Sequence, residues 1–225
     1  LTDRYPPLYK GGYELRCRDV AERLAGLGHQ VFILTTTFGL QREQIEGNVF
    51  RLLRYCGWDM INSHRNFVAA HLLRAYLTRK NYRTTRSIIQ QTAPDVVYVS
   101  QLANASVLPV LAARADGIPC VFDIEDYWLL ECKEYYAEHN NLFRRALRFL
   151  LTGVWHLRKA DFSNLWFISN YMRQKYIAAG FLDINFRVFN KGVDIVPPSE
   201  ARPPERGLQS VRLLYAGRLS EEKGV

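Results

Sequence analysis

Two adjacent glycines, Gly11 and Gly12, stand directly before a run with helical periodicity in the stretch YPPLYKGGYELRCRDVAERL. A glycine can adopt a positive φ and carries no Cβ, so a ligand can approach the backbone itself. The first N–H groups of a helix lack partners within the helix and lie at the positive end of its dipole, which attracts phosphate or carboxylate groups. The stretch therefore predicts an anion site at these glycines, with a plain chain turn as the alternative.

Stronger phosphate-binding and metal-binding patterns do not occur in the sequence. Neither G-x-G-x-x-G nor G-x-x-x-x-G-K-[ST] is present. The four cysteines have no C-x-x-C spacing and the histidines form no i, i+4 pair, so no metal site is predicted. Scattered cysteines without a disulfide framework are typical of a protein of the reducing cytosol.

Strands and helices alternate along most of the chain. Apolar, β-branched runs predict strands at 31–36, 48–55, 95–100, 119–124, 165–169 and 187–190. Helical periodicity and its stop signals predict a first helix that carries Cys17 and Leu24 and ends at Gly28, and further helices at 64–92, 103–114, 141–159 and 170–179. This alternation predicts an α/β fold, a doubly wound and mostly parallel Rossmann-like sheet with helices on both faces.

Two carboxylates, Glu125 and Asp126, directly follow the predicted strand 119–124. Open α/β sheets place their ligands at the carboxyl ends of parallel strands. A carboxylate at such a point can accept a hydrogen bond from a hydroxyl or act as a general base. Tyr127 and Trp128 come next in the same loop, where their rings could stack on a sugar or a lipid acceptor, or pack beneath the loop.

The composition changes near the C-terminal end of the chain. Residues 197–207 read PPSEARPPERG, which is rich in proline and charge and lacks apolar periodicity. We expect an N-terminal domain over residues 1–195, a linker over 196–210 and the start of a second domain over 211–225, where VRLLYAGR predicts a strand.

Several short motifs occur together in a characteristic order. They are PPLYKGGYE at 6–14, GHQV at 28–31, FISN at 167–170 followed by Gly180, KGVD at 191–194 and AGRLSEEKG at 216–224. With this set the chain resembles the N-terminal half of a retaining GT-B glycosyltransferase of the large group 1, or family 4, type, which includes sucrose synthases, mannosyltransferases and bacterial polysaccharide enzymes.

The resemblance implies two Rossmann-like domains facing a cleft, the first binding the acceptor and the second the sugar nucleotide. It implies sugar transfer, with retention, from a nucleotide-sugar donor to a glycan or lipid-linked acceptor, without a cofactor or a metal. Gly11 and Gly12 would lie near the donor's phosphates, and Arg218 and Lys223 would contact its diphosphate, whose developing charge fixed cations stabilise. Since most donor contacts would come from the second domain, we expect the 225-residue chain alone to transfer no sugar.

The sequence departs from the pattern of this group at two places. Many relatives carry a histidine and then an aspartate after the fifth strand, where this chain has Glu125 and Asp126. A carboxylate cannot bring the positive charge of a histidine. The Asn-Gly-Val-Asp motif of the group also becomes KGVD, with Lys191 in the place of the asparagine. We expect both carboxylates on the acceptor side of the reaction centre, while the donor and acceptor stay open.

Basic residues are concentrated in a chain of net charge +8. One segment, which contains Asp59 as its acidic residue, carries Arg51, Arg54, Arg65, Arg74, Arg79, Lys80, Arg83 and Arg86. Such a surface attracts phosphates. Together with the predicted helix 142–159 it could bind an anionic membrane, which would make the protein cytoplasmic and peripheral at the inner face of that membrane.

A nonenzymatic module of Rossmann-like fold that binds a nucleotide or a nucleic acid is the alternative function. Nucleic-acid binding predicts a recognised motif or aromatic residues interleaved with basic ones, and the sequence contains no such motif. We therefore expect no nucleic-acid partner.

Overall fold

The computed structural model describes residues 1–57, 67–130, 162, 164–181, 185–192 and 215. The helices and strands of this part are, in chain order, α1 (Gly12–Gly26), β1 (Ile33–Thr36), β2 (Gln44–Glu46), β3 (Val49–Leu53), α2 (Phe67–Thr92), β4 (Val97–Val99), α3 (Leu108–Ala115), β5 (Cys120–Ile124), β6 (Leu165–Phe167), α4 (Asn170–Ala178) and β7 (Arg187–Val188). The chain divides into two compact units, Leu1–Lys191 and Gly192–Val225. Apart from Tyr215, the predicted linker and second domain lie outside the described residues, and their boundaries stay a prediction.

The strands of the first unit form two sheets, in the orders β1-β3-β2 and β4-β5-β6-β7. All neighbouring strands run parallel except β2, which runs antiparallel to β3. Residues 1–3 pair with both sheets, since the Thr2 N–H donates to Leu34 O at 3.2 Å and the Ser100 N–H donates to Leu1 O at 2.9 Å. The mostly parallel, Rossmann-like α/β fold predicted from the sequence is confirmed.

One apolar core lies against both sheets. Its buried residues include Leu34, Phe50, Leu53, Val99, Phe122, Ile124, Leu165, Phe167 and Tyr176. Strand β1, from the apolar run at 31–36, is buried at each of its four positions, as is typical of a strand covered on both faces.

Helix α1 forms where its periodicity predicts it. Cys17 and Ala21 are buried, one turn apart, and Gly28 follows the helix with a φ of +91°, the left-handed conformation expected of a terminating glycine. Helix α2 likewise ends at Thr92, ahead of Pro94, as predicted.

Two predictions of local structure are wrong, and one lies outside the described residues. Strand β2 was not predicted, because its three residues are exposed and too few to show an alternating pattern. Helix α3 begins at Leu108 rather than at residue 103, because residues 103–107 form a turn. The helix predicted at 141–159 lies in the part that is not described.

The turn at 103–107 is held by Asp3, which is 1% exposed. Its Oδ2 accepts hydrogen bonds from the backbone and side-chain N–H groups of Asn104 at 2.8 and 3.0 Å, and its Oδ1 accepts one from the Ala105 N–H at 2.7 Å. Burial raises the pKa of Asp3 to about 7, and these three bonds oppose that rise.

We expect Asp3 to make stability fall as the pH rises from about 4 to about 7. The pKa of Asp3 is near 4 when unfolded and about 7 when folded, so unfolding releases a proton throughout this window. The stability that Asp3 contributes is fully present below about pH 4. As the pH rises, the free energy of unfolding falls by at most about 1.4 kcal/mol per pH unit because of Asp3. Urea unfolding at several pH values should give a shallower slope for Asp3→Asn. The exposed control Asp95→Asn should keep the wild-type slope, and an unchanged slope in Asp3→Asn would refute the assignment.

Candidate active site

Charged and hydroxyl side chains converge at the carboxyl ends of the parallel strands. Strand β5 ends at Ile124, and Glu125 and Asp126 follow it directly. Since β4, β6 and β7 run parallel to β5, the segments that follow them end at the same edge of the sheet. Gln101 comes from the segment after β4, and Lys191 comes from the segment after β7.

Glu125 belongs to a cluster of alternating charges. Its Oε1 accepts a hydrogen bond from Lys191 Nζ at 2.8 Å, and its Oε2 pairs with the Arg16 guanidinium at 3.3 Å. The same Lys191 Nζ also bonds Asp123 Oδ2, which in addition accepts a hydrogen bond from the Tyr98 hydroxyl. The cluster thus joins α1, β4, β5 and the segment after β7 at one point.

The cluster contains both positions at which the sequence departs from the pattern it resembles. Glu125 stands where the pattern has a histidine, and Lys191 stands where it has an asparagine. The two side chains are hydrogen-bonded to each other. The positive charge that Glu125 itself cannot bring is therefore present beside it, on Lys191.

Asp126 lies next to this cluster with separate partners. Its Oδ2 accepts a hydrogen bond from the Gln101 amide at 2.8 Å and its Oδ1 accepts one from the Trp128 N–H at 3.1 Å. The Tyr176 hydroxyl donates to its backbone oxygen at 3.1 Å. Its side chain is thus held at a fixed place, and no cation of the described residues pairs with it.

Burial raises the pKa values of both predicted carboxylates. For Asp126 the hydrogen bonds from Trp128 and Gln101 oppose the rise. For Glu125 the bond and the charge of Lys191 oppose it, and the nearby charge of Asp123 adds to it. Carboxylates of this kind keep a stronger affinity for a proton than exposed ones, which suits exchange of a proton or a hydrogen bond with a substrate hydroxyl.

The glycine turn forms the start of α1. Gly11 is the N-terminal cap of α1 with an extended φ of −157°, and neither Gly11 nor Gly12 uses the positive φ that a glycine permits. The Gly11 N–H donates to Glu14 Oε2 at 3.1 Å, which places a carboxylate of the protein at the start of the helix. A Cβ on Gly12 would meet no atom within 4 Å, so its backbone stays open to approach. Binding of a donor phosphate there stays a prediction.

The two aromatic residues after the carboxylates differ in exposure. Trp128 is 2% exposed and belongs to the core, which is the packing alternative considered for it. Tyr127 is 38% exposed and stays the candidate for stacking on an acceptor. Arg218 and Lys223 lie outside the described residues, so their predicted contact with a diphosphate stays a prediction.

The basic segment is less exposed than its composition indicates. Arg51 is 3% exposed and donates to the carbonyl oxygens of Tyr5 and Pro6 at 3.0 and 2.6 Å, so it fixes the turn before the glycines. Arg54 and Lys80 both bond Glu43, at 2.6 and 3.1 Å.

Further along this segment, Arg74 is buried, with 3% of its surface exposed, and Arg86 pairs with Asp116 at 3.4 Å. Arg79 and Arg83 are exposed on α2, and within the described residues no carboxylate forms an ion pair with either. Among the described residues of the segment, these two therefore carry most of the charge that a ligand could meet, and Arg65 lies outside the described residues.

Two general features of the described part bear on function. Within residues 1–57, 67–130 and the shorter described stretches, no group of three or more histidine, cysteine, aspartate or glutamate side chains is placed to hold a metal ion. In the same part of the chain no helix combines the length and the apolar character that crossing a membrane requires.

Sequence reasoning found two of the site's charged residues and missed others. Glu125 and Asp126 were found because they end a strand, whereas Asp123 lies within β5 and Arg16 lies within α1. Lys191 was noticed only as a mismatch in a motif. The available indication for Arg16 was its position in the first turns of a helix whose N-terminus was already predicted to face a ligand.

The mostly parallel sheets, with a charged cluster at the carboxyl ends of the strands, define a Rossmann-like domain with a candidate ligand site at the usual edge. The chain belongs to the family of glycosyl transferase 4-like domains, which it matches over residues 11–190. It is also similar to a relative in Klebsiella pneumoniae described as an "Uncharacterized 42.6 kDa protein in cps region". The two are 26% identical over 235 residues, and the match covers 98% of this chain and 60% of that relative.

Proposed function

We propose that the full-length protein is a glycosyltransferase that moves a sugar from a nucleotide-sugar donor to a glycan or lipid-linked acceptor, with retention of configuration. The observation that carries this proposal is the cluster of Asp123, Glu125, Arg16 and Lys191, with Asp126 beside it, at the edge of a glycosyl transferase 4-like domain. Similarity to a protein in a cps region supports a role in polysaccharide biosynthesis.

The cluster suits a sugar substrate because it offers hydrogen-bond acceptors and donors at a fixed place. Within the part of the chain that the structure describes, Asp126 pairs with no cation, so its oxygens can accept a hydrogen bond or a proton from a hydroxyl of the acceptor. Arg16 and Lys191 balance the charges of Glu125 and Asp123 on the same edge. For the diphosphate of the donor we propose Gly11, Gly12, Arg218 and Lys223, whose N–H groups and cations would stabilise the negative charge that develops as it leaves.

The nonenzymatic nucleotide-binding module is the competing function. A transferase turns over a sugar nucleotide, whereas a binding module only retains it. The full-length protein should be incubated with a panel of sugar nucleotides and with glycan and lipid-linked acceptors, and the product's anomeric configuration read by NMR. Binding without turnover of any donor on the panel would favour the module, and an inverted product would refute retention.

We propose further that α2 docks on an anionic membrane at the cytoplasmic face. Val68, Leu72 and Tyr76 are 47%, 53% and 65% exposed. Their spacing and that of Arg79 and Arg83 place all five on one face of the helix. We call these five residues the α2 stripe. Exposed apolar side chains can enter the boundary of a bilayer, and arginines beside them can bind its anionic headgroups, so a stripe with both suits an anionic surface.

In a vesicle flotation assay at low salt, the full-length protein should float with anionic vesicles and not with neutral ones. Each arginine near an anionic surface is worth about 1 kcal/mol, so Arg83→Glu should weaken binding at least about tenfold. Arg187→Glu, on the distant β7, changes the net charge equally and should bind as the wild type does. Equal flotation with neutral vesicles, or equal loss in both variants, would contradict the proposal.

A further inference from the structure

Lys191 shares one ammonium group between two carboxylates. Its Nζ bonds Asp123 Oδ2 and, at 2.8 Å, Glu125 Oε1. The side chain of Lys191 is 21% exposed, and those of Asp123 and Glu125 are 5% and 11% exposed. A cation hydrogen-bonded to two largely buried carboxylates offsets part of the cost of burying their charges.

Asp123 is held in place by other contacts as well. The Tyr98 hydroxyl donates to the same Oδ2, and the Tyr13 hydroxyl donates to the Asp123 backbone oxygen at 3.3 Å. One bond of Lys191 is therefore anchored on a fixed carboxylate. Its second bond then determines where the Glu125 carboxylate lies.

Lys191 is also the group that most strongly favours the ionised form of Glu125. Burial raises the pKa of Glu125, and the hydrogen bond and charge of Lys191 oppose this more strongly than Arg16 does. Arg16 is 37% exposed and lies 3.3 Å away, so solvent screens it more. The charged and titratable groups that face Glu125 in the described part of the chain are Tyr13, Arg16, Tyr98, Asp123 and Lys191.

We propose that Lys191 is a positioning residue, which holds Glu125 as an oriented, ionised hydrogen-bond acceptor for a hydroxyl of the sugar substrate. The identity of that substrate rests on the proposed function, whereas the ionised state of Glu125 does not. An ionised carboxylate accepts a hydrogen bond at either oxygen, but a protonated one turns one oxygen into a donor. Without Lys191, the affinity of the site for its sugar substrate should therefore fall at neutral pH and recover at higher pH.

The charge state is tested by NMR titration of the Glu125 side-chain carboxyl in full-length protein labelled with ¹³C-glutamate, with the signal assigned by its absence in Glu125→Gln. In Lys191→Met the midpoint should rise by about 1 to 2 pH units, as expected when an adjacent opposite charge is removed. In Lys191→Arg, which keeps the cation, it should stay within about half a unit of the wild type. A wild-type midpoint in Lys191→Met would overturn the proposal whether or not any sugar is transferred.

The role in sugar binding is tested by steady-state kinetics of the same variants, from about pH 6 to about pH 9. Lys191→Met should raise KM for the acceptor about tenfold or more near pH 7, with a smaller effect on kcat and recovery at high pH, and Lys191→Arg should restore the wild-type profile. In a Glu125→Gln background, Lys191→Met should have no further pH-dependent effect. Equal loss at every pH, not rescued by arginine, would leave Lys191 a purely structural residue and refute its positioning role.

Discussion

Replacement of Asp126 by asparagine in the full-length protein is expected to lower the rate of sugar transfer by about 100-fold or more, the usual scale for loss of an acid–base group. The fold should tolerate this change. Asparagine can keep the bond from the Trp128 N–H through its carbonyl oxygen, and the Gln101 amide can rotate to accept a bond from the new NH₂ group. The substitution thus removes a negative charge and retains the packing. Turnover and thermal unfolding should be measured on the same preparation.

Two further measurements make this test sharper. Glu125→Gln should lower turnover with a larger loss of stability, because Lys191 and Arg16 both lose an ionised partner. The exposed substitution Asp95→Asn should leave turnover and stability unchanged. Wild-type turnover in both Asp126→Asn and Glu125→Gln would show that the two carboxylates take no part in the reaction.

The pH dependence of the wild type carries related information. Since burial raises the pKa of Asp126, activity that needs its ionised form should be lost on acidification at a higher pH than an exposed aspartate would require. The residual activity of Asp126→Asn should not show this loss on acidification.

The position of the candidate site's carboxylates in the fold could be predicted because it follows from local patterns and one rule of topology. An apolar run such as β5 predicts a strand, and helices before and after it in the sequence predict parallel connections. The residues that follow the strand are then expected at the edge where such sheets bind ligands. Glu125 and Asp126 were placed by this reasoning without any contact being known. Trp128 was left between two roles, since burial beneath a loop depends on packing that the local sequence does not contain.

The partners of these residues could not be predicted, because they come from distant parts of the chain. Lys191 lies 68 residues from Asp123, and Arg16 reaches Glu125 from the first helix. The same limit applies to the basic segment, whose charges meet Glu43 and Asp116 from outside it. Counting charges within a segment therefore overstated the exposed positive surface, since side-chain pairing is a property of the folded chain.

Replacement of Asn81 by alanine is expected to cause the largest loss of stability, about 3 to 5 kcal/mol. Asn81 lies on α2 and is fully buried. Its amide donates to Arg54 O and to Ala105 O, both at 2.9 Å, and its Oδ1 accepts from the Arg54 N–H at 2.6 Å. The Asn81 side chain thus bonds both the N–H and the carbonyl oxygen of Arg54, as a paired strand would just beyond β3. It also bonds the carbonyl oxygen of Ala105, in the turn that Asp3 binds.

Alanine at position 81 would leave two carbonyl oxygens and one N–H group buried without these partners, at about 1 to 3 kcal/mol for each group, and would also leave a cavity. Such a loss is a large part of the 5 to 15 kcal/mol that typically stabilises a domain of about this size. Asn81→Asp should be destabilising too, because a carboxylate oxygen would then face the carbonyl oxygens of Arg54 and Ala105. Urea unfolding compares these variants with Gln91→Ala, an exposed substitution on the same helix that should change stability by less than about 0.5 kcal/mol. If Asn81→Ala unfolded at the same urea concentration as Gln91→Ala, the three hydrogen bonds could not be what fastens α2 to the end of β3.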